Sequence, residues 1–275
     1  MLSKEEYLFV YEHAYIPEHL PHYVTGISDK KPFLHMNCMC FVGMKHLTFV
    51  GFPLVKEEGI DLGQIYESAC QRFGPESVSI IAPRIWLAPG SYDGQPRDHY
   101  YRLELPPGKI PADLDYMLRR AKRELRVARG DFGREHKRLI REFLKGHALS
   151  PAQRTLFKRI PNYLKNSTSA HLLEARRGKD LIAFTIVDTG SADYAFYLFS
   201  FRTTAHAVPG ASDLLFYEMV LTAESLGKKA INLGLGINNG IRRFKEKWGG
   251  VPFLSYESAH LQRLAPRFEE LAHKL

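Results

Sequence analysis

The stretch INLGLGINNGIRRFKEKWGG, Ile231 to Gly250, joins an apolar strand-like run to a short basic helix. Gly234 and Gly236 close the strand, Asn238 and Asn239 follow, and the helix carries Arg242, Arg243, Lys245 and Lys247 before ending on Gly249-Gly250. Loops at strand ends carry function disproportionately often. Glycine there lets backbone approach a ligand closely, and asparagine orients a ligand without adding charge. Phe244 and Trp248 stand at i,i+4 spacing and are expected to face inward. Two or three of the four cations are then left in solvent, where those near the helix C-terminus suit its dipole.

Working outward, the preceding segment DLLFYEMVLTAESLGKKAINL, from Asp213, has a counterpart in DLGQIYESACQRFGPESVSII, from Asp61. Both open on Asp-Leu, carry a Tyr-Glu pair in a helical stretch, and pass through a glycine into an apolar strand. This reads as an internal repeat of a strand–loop–helix–strand unit. Residues 33–42 and 46–52 read as a hairpin turning at Gly43-Met44-Lys45. Residues 61–73 read as a helix capped by Asp61, SVSIIAPRI and HYYRLELP as strands. Residues 111–129 read as one basic amphipathic helix with Pro111 in its first turn, followed by helices at 134–145 and 151–164. SAHLLEARR, DLIAFTIVDTG and DYAFYLFSFRT read as strands, VPGASDLLFYEMVLTAESLG as a loop and helix, and VPFLSYESAH as a strand before a C-terminal helix. The helix after Pro209-Gly210 is expected to start near Ser212 or Asp213, with one of these capping it. The fold class is therefore α/β (α+β), two lobes related by duplication, each a mixed sheet flanked by helices. The expected division is 1–110, a basic helical connector at 111–164 packing on the second lobe, and 165–275 with the site.

The 275 residues, 45% hydrophobic and 12% aromatic, suffice for two cores. The net charge of +8 points to an anionic partner: nucleic acid, cofactor phosphates or an acidic membrane surface. Cys38, Cys40 and Cys70 are odd in number, and Cys38 and Cys40 alternate in a strand near His35 without a third or fourth ligand, so buried thiols rather than a metal site are expected. No run approaches the roughly 18 apolar residues of a membrane span. A soluble, cytoplasmic, reduced chain with no integral membrane segment is the expectation.

The run from Val208 to Gly250, with Phe244-Lys245-Glu246-Lys247-Trp248-Gly249-Gly250 at its end, resembles the C-terminal signature of the tandem acyltransferase-like proteins of the GNAT superfamily. These include the Fem-type aminoacyltransferases and the aminoacyl-phosphatidylglycerol synthases. The arginine-rich MLRRAKREL is also similar. The motif likeness is specific over about the last quarter of the chain.

The resemblance implies two GNAT-like lobes and direct attack of an amine or hydroxyl on an activated acyl group. The donor carbonyl would meet backbone N–H groups of a splayed, bulged strand, here Tyr197 to Arg202, including Phe199, Ser200 and Phe201. Gly210, Ala211 and Ser212 at the next helix N-terminus, with Asn239 and Arg242, complete the implied donor site. Lys245 is the implied cationic ligand of substrate phosphates, with Asn232, Asn238 and Glu257 as its catalytic companions. His206 and Asp193 are further candidate bases, although an amine can lose its proton to water. The donor implied is acyl-CoA or aminoacyl-tRNA, with no metal, and the partner a phosphate-bearing small molecule or tRNA. The chain departs from the glycine-rich pyrophosphate loop of coenzyme A users, since Arg202 to Ala211 holds one glycine and one proline. The alternative is a non-catalytic duplicated binding protein for a phosphate-bearing ligand or nucleic acid, the latter through 117–129.

Overall fold

The computed structural model describes residues 1–56 and 58–263. The expected C-terminal helix falls outside them.

Helix α1 (Lys4–His13) opens on a capping box between Ser3 and Glu6. A 3-10 turn, Pro17–His19, leads to α2 (Pro21–Ser28), which stops at left-handed Asp29. Three strands follow, β1 (Lys31–His35), β2 (Cys38–Gly43) and β3 (His46–Val50). The stretch 33–42, expected as one strand, is therefore two. The chain reverses at Met36-Asn37 and again at Met44-Lys45, and all four residues have positive φ. A two-residue hairpin turn needs that twist, which Asn adopts readily and Met does not advertise. Then come α3 (Leu62–Phe73), β4 (Ser77–Ala82), the short β5 (Asp93–Gly94) and β6 (Asp98–Glu104). Asp61 accepts from the N–H groups of Gly63 and Gln64, and Gly74 closes α3 in the left-handed region.

The next expected helix ends early. α4 spans Ala112–Glu124 with Pro111 as its N-cap residue, and Arg126–Arg129 form β7, paired antiparallel with β8 (Ala170–Arg177). Here a free sheet edge overrides helical periodicity, and the arginines make β7 a charged, short edge that resists pairing with other chains. Between β7 and β8 lie α5 (Arg134–Gly146) and α6 (Pro151–Asn166), the latter opened by a capping box of Ser150 and Gln153. The chain continues through β9 (Asp180–Asp188), β10 (Tyr194–Arg202), α7 (Ala211–Ser225), β11 (Ala230–Leu235), α8 (Asn239–Lys247) and β12 (Val251–Gln262).

The topology repeats. β1-β2-β3-α3-β4 and β8-β9-β10-α7-β11 are each a three-stranded meander, a helix, and a strand returning parallel to the third. The strands that follow each unit are exchanged. β6, after the first unit, pairs with β11 of the second, from Ala230↔Glu104 to Leu235↔Tyr100. β12, after the second unit, pairs through Glu257–Gln262 with β4 of the first. β6 and the N-terminal half of β12 also pair with each other, closing one continuous sheet. A division at 110 and 165 thus separates the repeated units but not the strands that complete them.

α3 covers one face of the first half, over Cys40, Phe49, Ile80 and Ala259. α4, α7 and α8 cover the same side of the second half. α5 and α6 lie on its other side, over Phe184, Ile186, Phe199 and Phe201. The three cysteines are free and buried.

Two contacts hold this arrangement. α2 crosses α6 at Gly26, where an added Cβ would lie 2.6 Å from the Cα of Tyr163. α7 is capped at Gly210 (φ +80°) with no side-chain acceptor, contrary to the expectation of Ser212 or Asp213. Asp213 is instead buried and accepts from Trp248 Nε1 at 3.1 Å while pairing with Lys247 at 2.5 Å. It ties α7 to the end of α8 rather than to its own helix.

Gly26→Ala should lower stability by roughly 1–3 kcal/mol despite a better helix propensity, because Tyr163 backbone blocks the new methyl; a urea melt measures it. Asp213→Ala should cost a similar ~1–3 kcal/mol by stranding the buried indole N–H, with Asp213→Asn milder because it keeps an acceptor.

Candidate functional site

The parallel register of β10 with β11 holds only for Tyr194↔Ala230, Ala195↔Ile231 and Phe196↔Asn232. Immediately beyond, both strands are irregular. β10 shifts register against β9 between Tyr197 and Phe199, and β11 shifts against β6 between Asn232 and Gly234. Bulges bend and twist strands. Two of them at one level, on neighbouring strands, part the pair.

The β10 bulge also redistributes its side chains. Ala195 and Tyr197 face the α7 core, whereas Phe199 and Phe201 face α5 and α6. The two phenylalanines are core residues whose backbone groups, at the hydrogen-bonded positions Phe199↔Ile186 and Phe201↔Phe184, are taken up by β9, so neither offers a ligand the donor that was expected of it. Thr203 N–H donates to Ile182 O at 2.8 Å, which sets the alternation of the ladder. By that alternation Ser200 and Arg202 turn their amides away from β9, toward the side β11 has left.

Lys245 enters this region from α8. It is 3% exposed, its Nζ donates to Leu235 O at 2.5 Å, and it lies 5.4 Å from the Tyr101 ring centroid. Gly234 beside it takes the left-handed backbone (φ +74°) that an L side chain rarely adopts, with the position of an added Cβ in ordinary contact with Nζ at 3.9 Å. Burial pushes the Lys245 ammonium down to about 7, against the opposing pull of the Asp98 carboxylate. Asp98 is the residue sequence reasoning missed. It sits at the start of β6 and accepts from Gly236 N at 3.2 Å and Ile237 N at 2.7 Å, holding the loop that launches α8. Nothing local to Asp98 signals this, because its partners are about 140 positions away.

The other expected residues are placed as follows. Asn232 is fully buried, donates to Tyr15 O at 2.8 Å and accepts from Gly234 N at 2.8 Å, so it pins the β11 bulge to the first half. Asn238 caps α8 by accepting from Ile241 N at 3.0 Å, and Asn239 is exposed in its first turn. Arg242 is half-buried against Gly236. Arg202 is exposed and Ser200 half-buried. Gly210 packs on α4, where a Cβ would be 2.7 Å from Met117 O; Ala211 is buried and Ser212 half-buried. His206 lies on the exposed loop, and Asp193 pairs with Lys229 at 3.0 Å.

Glu257 belongs to a different place. It accepts from Ile85 N at 2.9 Å and pairs with Arg97 at 2.6 Å. It lines a cavity of about 830 Å³ in the first half with Trp86, Tyr92 and Arg84. The structure brings Lys245 and Asn232 to the two sides of Gly234 but gives Glu257 other partners. Among the described residues no three His, Cys, Asp or Glu side chains are grouped to hold a metal, and no helix is long and apolar enough to cross a membrane.

No protein-family model and no curated protein matches the chain. Solved structures do. L-PGS from Bacillus licheniformis superposes with a TM-score of 0.60 at 18% identity, covering 99% of this chain and 96% of that one. FemX superposes with a TM-score of 0.62 at 10% identity, covering 94% and 96%. A GCN5-related N-acetyltransferase from Kribbella flavida superposes with a TM-score of 0.50 at 11% identity, covering 90% and 95%. Such identities speak to architecture. With its repeated meander–helix–strand units and the parted third and fourth strands of the second unit, the chain has the duplicated GNAT-like fold shared by these proteins.

Proposed function

We infer that the chain is an acyl- or aminoacyltransferase whose donor carbonyl lies in the gap between β10 and β11. The observation that carries this reading is the coincidence of two strand bulges with a buried lysine beside the opening. As an amine or hydroxyl attacks the activated acyl carbon, a new bond forms and negative charge gathers on the carbonyl oxygen. Backbone amides directed off β10 at Ser200 and Arg202 stabilise that charge without reorganising. The intermediate then expels the carrier, and the acceptor's proton passes to solvent. Lys245 supplies a cation for the oxyanion or for a carrier phosphate. An anion beside it compensates its lost hydration, so binding should restore its proton.

Acyl-CoA and aminoacyl-tRNA are both consistent donors. The packing of Gly210 against Met117 O favours aminoacyl-tRNA, since it brings α4 against the start of α7, where coenzyme A phosphates would dock in a GNAT site. The exposed cations Arg119, Arg120 and Arg123 on α4 add a surface for a polyanion. The same closure supports a second reading, a binding protein that retains the fold without transfer.

Lys245→Met should leave the fold intact and reduce transfer by about 10²–10³-fold; a folded variant with full activity would remove Lys245 from the mechanism. The pH response has a definite sign. The native Lys245 is deprotonated above pH 7 while the unfolded lysine stays protonated to about 10.4. Stability should therefore rise with pH across that window, and Lys245→Met should flatten the rise. Anion affinity should fall over the same range.

Thermal-shift titrations separate the donors. Stabilisation by charged tRNA, weakening steeply with salt, supports the aminoacyl reading. Stabilisation by acetyl-CoA alone makes it a coenzyme A enzyme. Tight tRNA binding with no transfer to any amine would leave the binding-protein reading standing.

A further inference from the structure

α5 and α6 leave a furrow on the surface of the second half, on the face of the sheet opposite Lys245. Its floor is apolar: Phe132, Ile140, Leu144, Phe157 and Pro161 line a cavity of about 490 Å³. A second cavity of about 460 Å³ shares Phe132, Lys137 and Pro161 and extends the furrow past Leu164 to Leu172. Each volume is in the range of a small-molecule site. The rim is cationic. Lys137, Arg141, Lys158 and Lys165 border the two cavities, all are exposed, and none forms an ion pair among the described residues. Asp131 is the one carboxylate in the lining of either cavity. Of the neighbouring carboxylates, which line neither cavity, Glu135 is engaged by Arg176 at 2.8 Å, and Glu142 stands 3.7 Å from Arg138 with its Oε2 buried and unpartnered.

The core beneath does not need these cations. Leu139, Ile140, Leu144 and Ile160 bury themselves against β9 and β10, and Arg154 independently secures the α5–α6 turn by donating to Leu144 O and Leu149 O. Pro161 lacks the N–H that would satisfy Phe157 O in a regular helix, so backbone polarity is also present in the furrow.

We propose that this furrow binds a monomeric anionic amphiphile, a single alkyl chain lying along the Phe132–Phe157–Leu164 floor with its anionic head on the Lys137, Arg141 and Lys158 rim. Charge complementarity selects the sign of the head, and the apolar floor selects the chain. A nucleic acid fits less well. Its bases need open ring faces, whereas Phe132 stacks on His136 and Phe157 meets Phe143, Phe199 and Phe201. A bilayer also fits less well, because insertion needs large apolar side chains that project from the surface. The large exposed hydrophobic residues, such as Leu8, Met44, Tyr116 and Ile237, lie elsewhere, and none is on α5 or α6.

The test is calorimetric titration of the full chain with dodecanoate below its micelle concentration. Saturable one-to-one binding is expected, weakening by about fourfold for each methylene removed on going to decanoate and octanoate. Lys137→Glu/Arg141→Glu/Lys158→Glu, whose changes are all on exposed positions, should keep its melting transition and lose at least tenfold in affinity. Dodecyltrimethylammonium should not bind. Equal binding of the cationic and anionic amphiphiles, no dependence on chain length, or full affinity in the triple variant would overturn the proposal. So would capture by phosphatidylglycerol vesicles without binding of monomeric dodecanoate, which would assign the face to a membrane surface.

Discussion

The antiparallel pairing of β6 with β12 is the contact on which the rest of the molecule depends. Each strand follows one repeated unit and completes the sheet of the other. Neither half can therefore satisfy its own edge. β4 without β12, or β11 without β6, would expose a row of unpaired backbone groups beside a buried core. The exchange makes the two halves one hydrogen-bonded object, and it places Tyr100, Tyr101 and Arg102 of the first half directly beside the residues that shape the gap in the second.

That placement explains how the lysine site is built. β11 is held on one side by β10 only as far as Asn232, and on the other by β6. Its bulge is fixed by Asn232, which reaches Tyr15 of the first half. The loop after it is fixed by Asp98, also of the first half. The walls around Lys245 thus come from both halves, while Asp213 fastens the far end of its helix to α7. A buried ammonium is costly unless charge and hydrogen bonds compensate it. Here Leu235 O, the Tyr101 ring face and a distant carboxylate compensate it in part.

Local chemistry made several elements legible in advance. Asp61 and Gly74 bracket α3, Ser150 opens α6, and Phe244 with Trp248 marks the inward face of α8. The repeat was legible because both helices carry the same polar punctuation. Three features were not. Met36-Asn37 turns without a glycine. Arg126–Arg129 continues a helical pattern but pairs as a strand. Asp213 stands where a cap belongs yet serves an indole on another helix. The first is a turn between adjacent strands; in the other two a partner distant in the chain outweighs a local preference of a few tenths of a kcal/mol to about one.

The sequence by itself determined α3 and α5 to α8, most strands, the duplicated order of elements and the presence of a basic turn after a glycine-rich strand end. Those properties follow from periodicity and capping, which act over a few residues. Only the tertiary structure decided which strands complete which sheet, that Lys245 alone among four neighbouring cations is buried, that Phe199 and Phe201 point away from the gap, and that Glu257 lines a separate cavity. Where sheet residues are concerned, the reason is common. Side-chain direction in a sheet has a period of two, so one bulge reverses every later residue, and strand pairing joins segments that no local pattern connects.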